Sequence, residues 1–382
     1  MRRPFDIATD GCETIRPHAS KEGGVGLRPR GSQIGVGGVA THLVTGGAGF
    51  LGSRIARALQ SRGERVRVLD ILPTADLPAG IEYVRADVVG DHDALQAAAD
   101  GAEVVHHTAA MVPLTKAGRR FWQVNVEGTQ NMLDAARRAR ARLFIHVSTS
   151  AVFGVPDRCP ITDETPLRPV EAYGRAKLEA ERRVERAAAN GLPCAIIRPR
   201  TIIGSGRLGI FQILHEWISE GRKVYVIGDG SQQHQYLHAD DIVDFMLLLT
   251  EQRKPGIYNL STDRFGPLRE NLEALIRHAG TRARVVGTPV RVAIGALRLL
   301  DVLRLSPLAP WHYLTYHKPF HFDISRPMRE LGWRPRYGNV DMLIESYDWF
   351  LAHRNEATAD DVRSTHRRAV KQGVLWALKH LS

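Results

Sequence analysis

The sequence predicts an α/β protein, with a doubly wound parallel sheet followed by a smaller, mixed C-terminal lobe. Between residues 41 and 200, short apolar stretches alternate with longer stretches of helical periodicity. This alternation is typical of parallel βαβ units whose sheet is covered by helices on both faces. Beyond residue 200 the alternation becomes irregular, and the chain of 382 residues is longer than one average domain.

The first half of the chain predicts its elements in a regular order. In the helix FLGSRIARALQSRG, Leu51, Ile55 and Leu59 recur four residues apart and form one buried stripe. Gly63 suits the left-handed turn that ends this helix. A second helix lies around NVEGTQNMLDAARRA, and a third covers Glu171–Asn190. The predicted strands lie in HLVTG, RVRVLD, IEYVRADV, AEVVHHTAA, ARLFIHVSTS and CAIIRPR.

Three further segments complete the chain. Residues 1–40 are rich in glycine, arginine and proline without apolar periodicity, and are predicted to be a flexible leader. Residues 201–354 form mainly the second lobe. Its predicted strands lie in GIYNLST and ARVVGTP, and its predicted helices cover residues 267–279, 290–304 and 340–353. Residues 355–382 form a predicted basic amphipathic tail helix, whose apolar face suits its own domain, an acidic partner or anionic lipid.

The composition excludes several classes of function. Lysine and arginine outnumber acidic residues by 52 to 41, but they are scattered and no basic run is interleaved with aromatics, so no nucleic-acid partner is predicted. The three cysteines lie far apart without a C-x-x-C pair, which favours a cytoplasmic protein without disulfides or zinc. No apolar run reaches the roughly 18 residues that span a membrane. Val290–Leu305 is interrupted by charges and leaves a membrane surface as an alternative contact.

Two glycine clusters fit nucleotide-binding loops, and their positions distinguish them. A phosphate loop needs a strand before it and a helix N-terminus after it, because the free N–H groups of that terminus attract the anion. The cluster at Gly35 follows no strand and is predicted to be a chance match. The second cluster follows HLVT and opens a helix. There Gly46 takes the tight turn, Gly49 lets the backbone approach a pyrophosphate, and Gly52 allows close helix packing.

A carboxylate at the end of the next strand indicates which cofactor this loop holds. Asp70 lies 18 residues beyond Gly52, where it can accept hydrogen bonds from the adenosine ribose hydroxyls. A turn-capping role for Asp70 is the alternative. No arginine follows directly to receive a 2′-phosphate, so NAD is favoured over NADP. Residues 41–200 are therefore predicted to be an NAD-binding, Rossmann-type domain to which later segments return, and residues 201–354 mainly a substrate-binding lobe.

A tyrosine, a lysine and three hydroxyls predict an acid/base site. Tyr173 and Lys177 are four residues apart and share one helix face, where the ammonium group and a cationic nicotinamide would lower the pKa of the phenol. Taken alone, this spacing is also typical of an exposed tyrosine that packs over the aliphatic part of a lysine side chain. Upstream, Ser148, Thr149 and Ser150 end a strand that is predicted to abut this helix. One of these hydroxyls would hold the substrate oxygen during hydride transfer.

Together these residues make the chain resemble an extended short-chain dehydrogenase/reductase of the NAD-dependent epimerase/dehydratase type, over about residues 41–354. The matching motifs are TGGAGFLG, ADV, VVHHTAA, NVEGT, VSTSAVFG, Y-x-x-x-K, RPRTIIGSG, YLHADDIV and ELGWRP. The resemblance implies that Thr149 is the catalytic hydroxyl and Tyr173 the acid/base. It implies that Lys177 binds the nicotinamide ribose and tunes Tyr173. Because members of this family often dimerise, it also implies a homodimer.

The resemblance further implies a set of cofactor contacts. Asp87 and Val88 would contact the adenine, and Asn125 would lie near the nicotinamide side. Thr108 and the two alanines after it would run beneath the cofactor. The complete predicted set of cofactor-binding residues is Gly46, Gly49, Phe50, Leu51, Gly52, Asp70, Asp87, Val88, Thr108, Ala109, Ala110, Asn125, Tyr173, Lys177 and Pro199.

Two departures from the family pattern bear on the substrate. Sugar-nucleotide members usually carry an asparagine where this chain has Thr201, and a diphosphate-binding arginine where it has His234. A neutral histidine binds phosphate far less well than a bidentate guanidinium, although Arg200 and Arg207 are alternative cations. The sequence therefore favours a non-nucleotide, apolar secondary alcohol of the 3β-hydroxysteroid type. Ser150, Thr201 and His234 are the predicted substrate contacts.

The histidines do not predict a metal site. His106 and His107 are adjacent in a strand and point to opposite faces of the sheet, so they cannot readily bind one ion. The cluster of His238, Asp240 and Asp241 has the composition of a metal site. The resemblance implies instead that this cluster is the start of a helix, with an aspartate as its cap.

The predicted activity is reversible hydride transfer between NAD and a secondary alcohol or ketone of a small-molecule substrate. Net oxidoreduction releases the reduced cofactor, whereas an epimerase or dehydratase keeps it and returns the hydride. The sequence does not separate these outcomes, and a nucleotide-sugar epimerase or dehydratase is the alternative. A non-catalytic NAD-binding regulator is disfavoured because Thr149, Tyr173 and Lys177 are all present.

Overall fold

The described part of the chain covers the two predicted lobes and leaves out both ends. The computed structural model describes residues 39–73, 77–112, 118–207, 209–302 and 310–354. The predicted leader, apart from its last two residues, and the predicted tail helix lie outside these ranges, as does the glycine cluster at Gly35. None of the helices in these ranges combines the length and hydropathy that a membrane-spanning segment needs.

A seven-stranded parallel sheet forms the centre of the described residues. The strands of the chain are β1 (Thr41–Thr45), β2 (Arg65–Asp70), β3 (Glu82–Arg85), β4 (Val104–His107), β5 (Leu143–Val147), β6 (Cys194–Pro199), β7 (Thr201–Ile203), β8 (Lys223–Ile227), β9 (Gln233–His234), β10 (Tyr236–His238), β11 (Gly256–Leu260), β12 (Gly266–Pro267) and β13 (Arg284–Thr288). The order across the main sheet is β11-β6-β5-β4-β1-β2-β3. The chain thus winds outward on both sides of β1, which is the doubly wound arrangement that the sequence predicts.

Helices cover the sheet and build the second lobe. The helices in chain order are α1 (Phe50–Ser61), α2 (His92–Ala99), α3 (Arg120–Trp122), α4 (Gly128–Arg138), α5 (Ala172–Ala189), α6 (Ile210–Ser219), α7 (Ala239–Gln252), α8 (Leu268–Ala279), α9 (Val290–Val302), α10 (Pro310–Thr315), α11 (Ser325–Leu331) and α12 (Asn339–His353). A π-helical turn over Gln123–Glu127 joins α3 to α4, and a 3-10 turn covers Ser150–Phe153. Separate apolar clusters on the described helices pack against the two faces of the sheet.

Helix α1 has the buried stripe that its spacing predicts. Ile55 and Leu59 are buried, and Leu51 packs half-buried against the same core. After the helix ends, Gly63 has a φ of +82°, and its N–H donates to the carbonyl of Gln60. The predicted left-handed stop is therefore confirmed. Burial of this stripe fixes the N-terminus of α1 at the carboxyl end of β1.

The helix predicted around Asn125 differs from an ordinary α-helix. The hydroxyl of Thr129 donates to the carbonyl of Asn125 at 2.8 Å. The side chain therefore competes with the backbone for that acceptor, and the turn over Gln123–Glu127 is π-helical. Such turns are frequent at functional sites. A pattern of apolar spacing does not reveal them, because the change affects only one turn.

The lobe after residue 200 is mixed, as predicted. Its short strands pair as β7 with β10 and β8 with β13 in parallel, and as β9 with β12 antiparallel. Helices α8, α9 and α12 match the three predicted helices to within one or two residues at each end. Strand β11 leaves this part of the chain and pairs with β6 at the edge of the main sheet. The assignment of the two lobes to cofactor and substrate stays a prediction.

Replacement of Gly52 by alanine should destabilise the fold. A Cβ atom at this position would lie 2.2 Å from the carbonyl oxygen of Gly46, a backbone atom that cannot move aside cheaply. We expect a loss of about 1–3 kcal/mol in the free energy of unfolding, measured by urea titration. Gly295→Ala is the control, because a Cβ there meets nothing within 4 Å and alanine favours helix α9. Equal urea midpoints for the two variants would contradict the close packing of the loop.

Candidate active site

The second glycine cluster forms a tight loop between β1 and α1, which we call the glycine loop (Gly46–Gly52). Gly46 has a φ of +71°, so only glycine adopts its conformation without strain. A Cβ atom on Gly46 would lie 2.8 Å from the Cα of Ala109, which shows how closely the loop packs on the end of β4. Gly49 is the N-cap of α1, with no side-chain cap and no acidic residue in the first turn. The N–H groups of this helix terminus are therefore available to an anion.

Asp70 lies directly beside the glycine loop. Its Oδ2 accepts a hydrogen bond from the N–H of Ala48 at 3.0 Å, and its Oδ1 accepts one from Leu72 at 2.9 Å. Asp70 thus caps the turn, which was the alternative role. Each carboxylate oxygen can accept a second hydrogen bond, so the ribose role and the capping role are compatible. Burial raises the pKa of Asp70, and the two backbone N–H groups oppose this effect.

Residues after β4 border the glycine loop, and residues after β3 have other partners. Thr108 donates through its hydroxyl to the carbonyl of Thr45 at 2.7 Å, and Ala109 N–H reaches the Thr45 hydroxyl at 3.3 Å. Asp87 is half-buried and pairs with Arg120. Val88 is buried in the apolar core, so its side chain is not free to contact an adenine. Any contact of position 88 with a cofactor would come from its backbone.

Other predicted cofactor residues hold the scaffold. Asn125 is fully buried, and its amide both accepts from and donates to the backbone of Met111 at 3.0 Å. Its side chain therefore ties the segment after β4 to the π-helical turn. Pro199 is buried at the end of β6, and Phe50 is buried at the start of α1. Leu51 is half-buried against the core.

The three consecutive hydroxyls after β5 have separate partners. Ser148 donates to Glu181, whose carboxylate also binds Arg198 with a shortest distance of 2.6 Å. Ser150 accepts a hydrogen bond from Arg200 at 3.1 Å. Thr149 accepts from the N–H of Ala151 at 3.2 Å, and its hydroxyl lies close enough to Tyr173 to lower the pKa of the phenol. Of the three hydroxyls, Thr149 is the one that acts on the pKa of the tyrosine.

The pKa of Tyr173 is raised, not lowered. Burial raises it to about 12, and Glu171 adds to this effect. The hydrogen bond with Thr149 and the positive charge of Arg207 act in the opposite direction. In this structure the loss of phenolate hydration outweighs the neighbouring groups. At neutral pH Tyr173 is therefore a protonated hydrogen-bond donor. The predicted lowering by Lys177 together with a cationic nicotinamide stays a prediction.

Lys177 lies on helix α5, as Tyr173 does, and its side chain faces the sheet. It is 2% exposed, and its Nζ donates to the carbonyl of Val147 at 2.6 Å and lies 3.5 Å from Nε2 of His146. Burial lowers the pKa of Lys177 to about 8, and Glu181 opposes this shift. The ammonium is thus held at the carboxyl end of β5. Its two remaining hydrogens leave capacity for another acceptor.

The histidines of β4 point to opposite faces of the sheet, as predicted. His106 lies 3.3 Å from a ring nitrogen of His42, whereas His107 contacts the hydroxyls of Thr45 at 2.8 Å and Thr129 at 3.1 Å. Burial lowers the pKa of both β4 histidines, so they are neutral. No cluster of three or more metal-binding side chains occurs in the part of the chain that the structure describes.

Of the predicted substrate contacts, Thr201 and His234 lie in the second lobe, and His234 is deeply buried. His234 is 1% exposed and packs against the rings of Tyr236 and Tyr316 at 5.2 and 5.1 Å between centroids. Burial lowers the pKa of His234 to about 3, so the imidazole carries no positive charge. Thr201 is half-buried and is hydrogen-bonded to Tyr316. A cationic diphosphate contact at position 234 is therefore absent.

The predicted aspartate cap of the following helix is wrong. Helix α7 begins at Ala239, and its N-cap is His238, whose Nδ1 accepts from the N–H of Asp240 at 3.2 Å. The carboxylate of Asp241 instead accepts from the backbone N–H groups of Arg336 and Tyr337. The prediction of a helix start is confirmed. Only the tertiary contact with residues 336 and 337 explains the different cap.

Several neighbours of Tyr173 are not evident from sequence. The ring of Phe121 lies edge-on to Tyr173 at 6.4 Å between centroids. The guanidinium of Arg207 lies 5.6 Å from the ring centre of Phe50, and it acts on the pKa of Tyr173. Burial raises the pKa of Glu171 to about 7. Of these three residues, only Glu171 is near Tyr173 in the sequence, whereas Phe121 and Arg207 approach from distant segments.

Comparisons with known proteins identify relatives of two substrate classes. A sequence profile of the NAD dependent epimerase/dehydratase family matches residues 42–261. An uncharacterized protein of Sinorhizobium fredii is 38% identical over 90% of this chain and 86% of its own length. A 3 beta-hydroxysteroid dehydrogenase/Delta 5→4-isomerase of Mycobacterium tuberculosis is 31% identical over 85% of this chain and 95% of its own length. A UDP-glucose 4-epimerase of Streptomyces lividans is 28% identical, with corresponding shares of 82% and 96%.

Solved structures share the fold. DesIV, a dTDP-glucose 4,6-dehydratase from Streptomyces venezuelae with NAD bound, is 25% identical with a TM-score of 0.68, over 83% of this chain and 98% of its own. A UDP-glucose 4-epimerase from Thermotoga maritima is 23% identical with a TM-score of 0.69, over 82% and 99%. The family profile spans more than half of the chain, and relatives above 30% identity extend over most of it. The chain therefore belongs to the NAD dependent epimerase/dehydratase family, whose members are enzymes of the extended short-chain dehydrogenase/reductase type.

Proposed function

We propose that this protein binds NAD and catalyses reversible hydride transfer at the carbon of a secondary alcohol or ketone. The observation that carries the proposal is the placement of Thr149, after β5, close enough to Tyr173 on α5 to lower the pKa of its phenol. Arg207 links this pair to the glycine loop, since it acts on Tyr173 and lies over the ring of Phe50. A phenol and a hydroxyl beside an uncapped helix N-terminus suit proton exchange next to a bound dinucleotide.

The residues around the glycine loop fit NAD. The N-terminus of α1 would bind the pyrophosphate, because no side chain caps the N–H groups of the first helical residues. Asp70, beside the same loop, would accept hydrogen bonds from the adenosine ribose. A carboxylate at this position disfavours a 2′-phosphate through like-charge repulsion, so NADP is the weaker candidate.

Each residue of the trio has a defined part in the reaction. NAD, when bound, accepts the hydride from the carbon that carries the hydroxyl. Tyr173 takes the proton from that hydroxyl in oxidation and returns it in reduction. Thr149 holds the reacting oxygen and orients it towards the phenol. Lys177, fixed by the carbonyl of Val147, would bind the nicotinamide ribose with a remaining hydrogen.

We favour a small, non-nucleotide secondary alcohol with an apolar body, such as a 3β-hydroxysteroid. The neutral state of His234 supports this preference, because a neutral imidazole is a poor partner for a diphosphate. The relative with 31% identity acts on such an alcohol by its name. Val292 and Leu299 expose 68% and 60% of their surface on α9, which suits an apolar ligand or a membrane surface. We also propose that the protein is a cytoplasmic homodimer.

A nucleotide-sugar epimerase or dehydratase is the second candidate. The similarity to UDP-glucose 4-epimerases and to dTDP-glucose 4,6-dehydratases supports it, since both groups cover most of this chain. The deciding experiment follows NADH absorbance while sterols, keto-acyl compounds and UDP- or dTDP-sugars are offered in turn. Product analysis by mass spectrometry detects epimerisation or dehydration without net NADH. Turnover of sugar nucleotides without turnover of sterols would overturn the preferred substrate class.

Removal of the phenolic hydroxyl should abolish catalysis and preserve cofactor binding. For Tyr173→Phe we expect kcat to fall by about 10²–10⁴-fold, because the proton loses its acceptor, while the Kd for NAD stays within a factor of about two. Tyr225→Phe is the control, since Tyr225 lies on β8 and is partly exposed. Steady-state kinetics and NAD titration measure both effects. Near-normal turnover of Tyr173→Phe would refute the acid/base role.

The two directions of the reaction should depend differently on pH. Because burial raises the pKa of Tyr173 to about 12, the phenol is protonated at neutral pH and must lose its proton to act as a base. The kcat/KM for alcohol oxidation should therefore rise about tenfold per unit from about pH 6 to pH 9. The kcat/KM for ketone reduction, which uses the protonated phenol, should not rise. An oxidation rate that falls with pH would contradict this assignment.

The role of Asp70 is tested by cofactor preference. Asp70→Ala should raise the Kd for NAD by about tenfold or more and reduce the preference over NADP, because the ribose acceptor is lost and repulsion of a 2′-phosphate is relieved. Fluorescence titration with both cofactors measures the ratio of the two affinities. Asp70 also caps the loop at Ala48, so a purely structural role would weaken NAD and NADP equally and contradict the ribose contact.

A further inference from the structure

Two arginines near the Thr149–Tyr173 pair lack a carboxylate partner. Arg200 is 1% exposed, and it donates to the hydroxyl of Ser150 at 3.1 Å and to the carbonyl of Gln235 at 3.2 Å. Its guanidinium lies 4.1 Å from the ring centre of Phe320. Its Nη2 is buried and has no hydrogen-bond partner among the described residues. This side chain therefore keeps an unused donor next to the hydroxyl segment after β5.

Arg207 repeats this arrangement on the cofactor side of the tyrosine. Its guanidinium lies over the ring of Phe50, and its Nε is buried without a hydrogen-bond partner among the described residues. The groups that act on the pKa of Arg207 are Tyr173 and Tyr316, and neither is a carboxylate. Tyr316 also acts on the pKa of Arg200. Arg200 donates to Ser150, the residue after Thr149, and Arg207 acts on the pKa of Tyr173, so both cations lie near the Thr149–Tyr173 pair.

A buried arginine elsewhere in the same protein shows the contrast. Arg198 forms hydrogen bonds through two nitrogens with both carboxylate oxygens of Glu181, at 2.6 to 3.1 Å. A buried charge without such a partner destabilises a fold, because its lost hydration is not replaced. Arg200 and Arg207 remain cationic at neutral pH, since burial lowers the pKa of each only to about 10.

The groups that act on the pKa of Arg200 and Arg207 carry no negative charge at neutral pH. His234 is neutral, and burial raises the pKa of Tyr236 and Tyr316. The thiol of Cys159 likewise has a raised pKa. Two cations with unused N–H donors and no counter-charge in the described residues form a receptor for an oxyanion. The guanidinium group binds carboxylates and phosphates with two parallel hydrogen bonds.

We propose that the substrate carries one anionic group, a carboxylate or a phosphate, that binds to the free N–H donors of Arg207 and Arg200. This inference rests on the proposed function, because it places the anion beside the hydroxyl that Tyr173 and Thr149 process. It makes the substrate an amphiphile: an apolar body with a secondary alcohol and one acidic group. It also provides the cation that position 234 lacks, from different residues and a different direction.

The same donors could in principle bind the pyrophosphate of NAD, and the test separates the two anions. The full-length protein is first saturated with NAD, so that the glycine loop is filled. Inorganic phosphate and butyrate are then titrated separately by calorimetry, as probes of a phosphate and of a carboxylate with an apolar tail. We expect saturable binding of at least one probe to the NAD-loaded protein. Binding of neither probe would overturn the proposal.

The decisive variant is Arg207→Gln, because this side chain is less buried than Arg200. This substitution should lower the affinity for the probe by about tenfold or more, the usual effect of losing a charge-assisted hydrogen bond. Arg207→Lys keeps the positive charge but loses the paired N–H donors of the guanidinium. Its affinity for the probe should therefore lie between the affinities of Arg207→Gln and the wild type. Arg182→Gln is the matched control on the exposed surface of α5, and it should bind the probe like the wild type. Equal binding by Arg207→Gln and the control would overturn the proposal.

Two further measurements complete the test. Arg200→Lys keeps the buried charge, and its probe affinity should fall while its melting temperature stays close to that of the wild type. The Kd of Arg207→Gln for NAD should stay within about twofold of the wild-type value. A tenfold loss of NAD affinity would assign Arg207 to the pyrophosphate and overturn the substrate site. Failure of the proposed function would appear differently, as no NAD binding by the wild type or no turnover with any alcohol.

Discussion

The close approach of the glycine loop to the sheet is the constraint on which the rest of the site depends. Gly46 turns back against Ala109 at the end of β4, and Gly52 lies against the carbonyl of Gly46. A side chain at either glycine would separate α1 from the sheet, because the opposing atoms belong to the backbone. With the loop closed, the uncapped terminus of α1 lies at the carboxyl edge of the parallel strands. The carboxyl ends of the parallel strands share this edge, so Asp70 after β2 and the hydroxyls after β5 lie on the same side of the sheet, with β1 and β4 between them.

Burial decides which groups in the protein carry charge. The histidines within the sheet are neutral, and the ammonium of Lys177 is held by a backbone carbonyl. Glu181 and Arg198 compensate each other beneath the hydroxyl segment. Arg200 and Arg207 are the exceptions, since they remain cationic in a neutral surrounding. Buried charges without a partner are expected where a protein binds a ligand, because the ligand then supplies the missing partner.

The same effect sets the chemistry of Tyr173. A desolvated phenol holds its proton, so the residue is prepared to donate to a carbonyl oxygen and needs nearby positive charge to act as a base. Arg207 is the cation that acts on it in this structure, whereas Lys177 is turned to Val147. Relatives of this chain include, by their names, a UDP-glucose 4-epimerase and a 3 beta-hydroxysteroid dehydrogenase/Delta 5→4-isomerase. We propose that the surroundings of Arg200, Arg207 and His234 select the substrate of this protein.

The sequence by itself determined the doubly wound sheet and the position of the loop at Gly46–Gly52 between a strand and a helix, because these depend on local periodicity and on residue types at short spacing. It left three hydroxyls open as partners of Tyr173, and only the family resemblance singled out Thr149. It did not predict helix α2, which has only eight residues, or the π-helical turn before α4, because neither gives a sustained periodic signal. Only the tertiary structure decided that Val88 and Asn125 are scaffold residues, that His238 caps α7, and that the pKa of Tyr173 is raised. Each of these depends on burial or on a partner distant in the chain. The physical reason is that hydration is lost only when separate segments pack, and spacing along one segment does not report that loss.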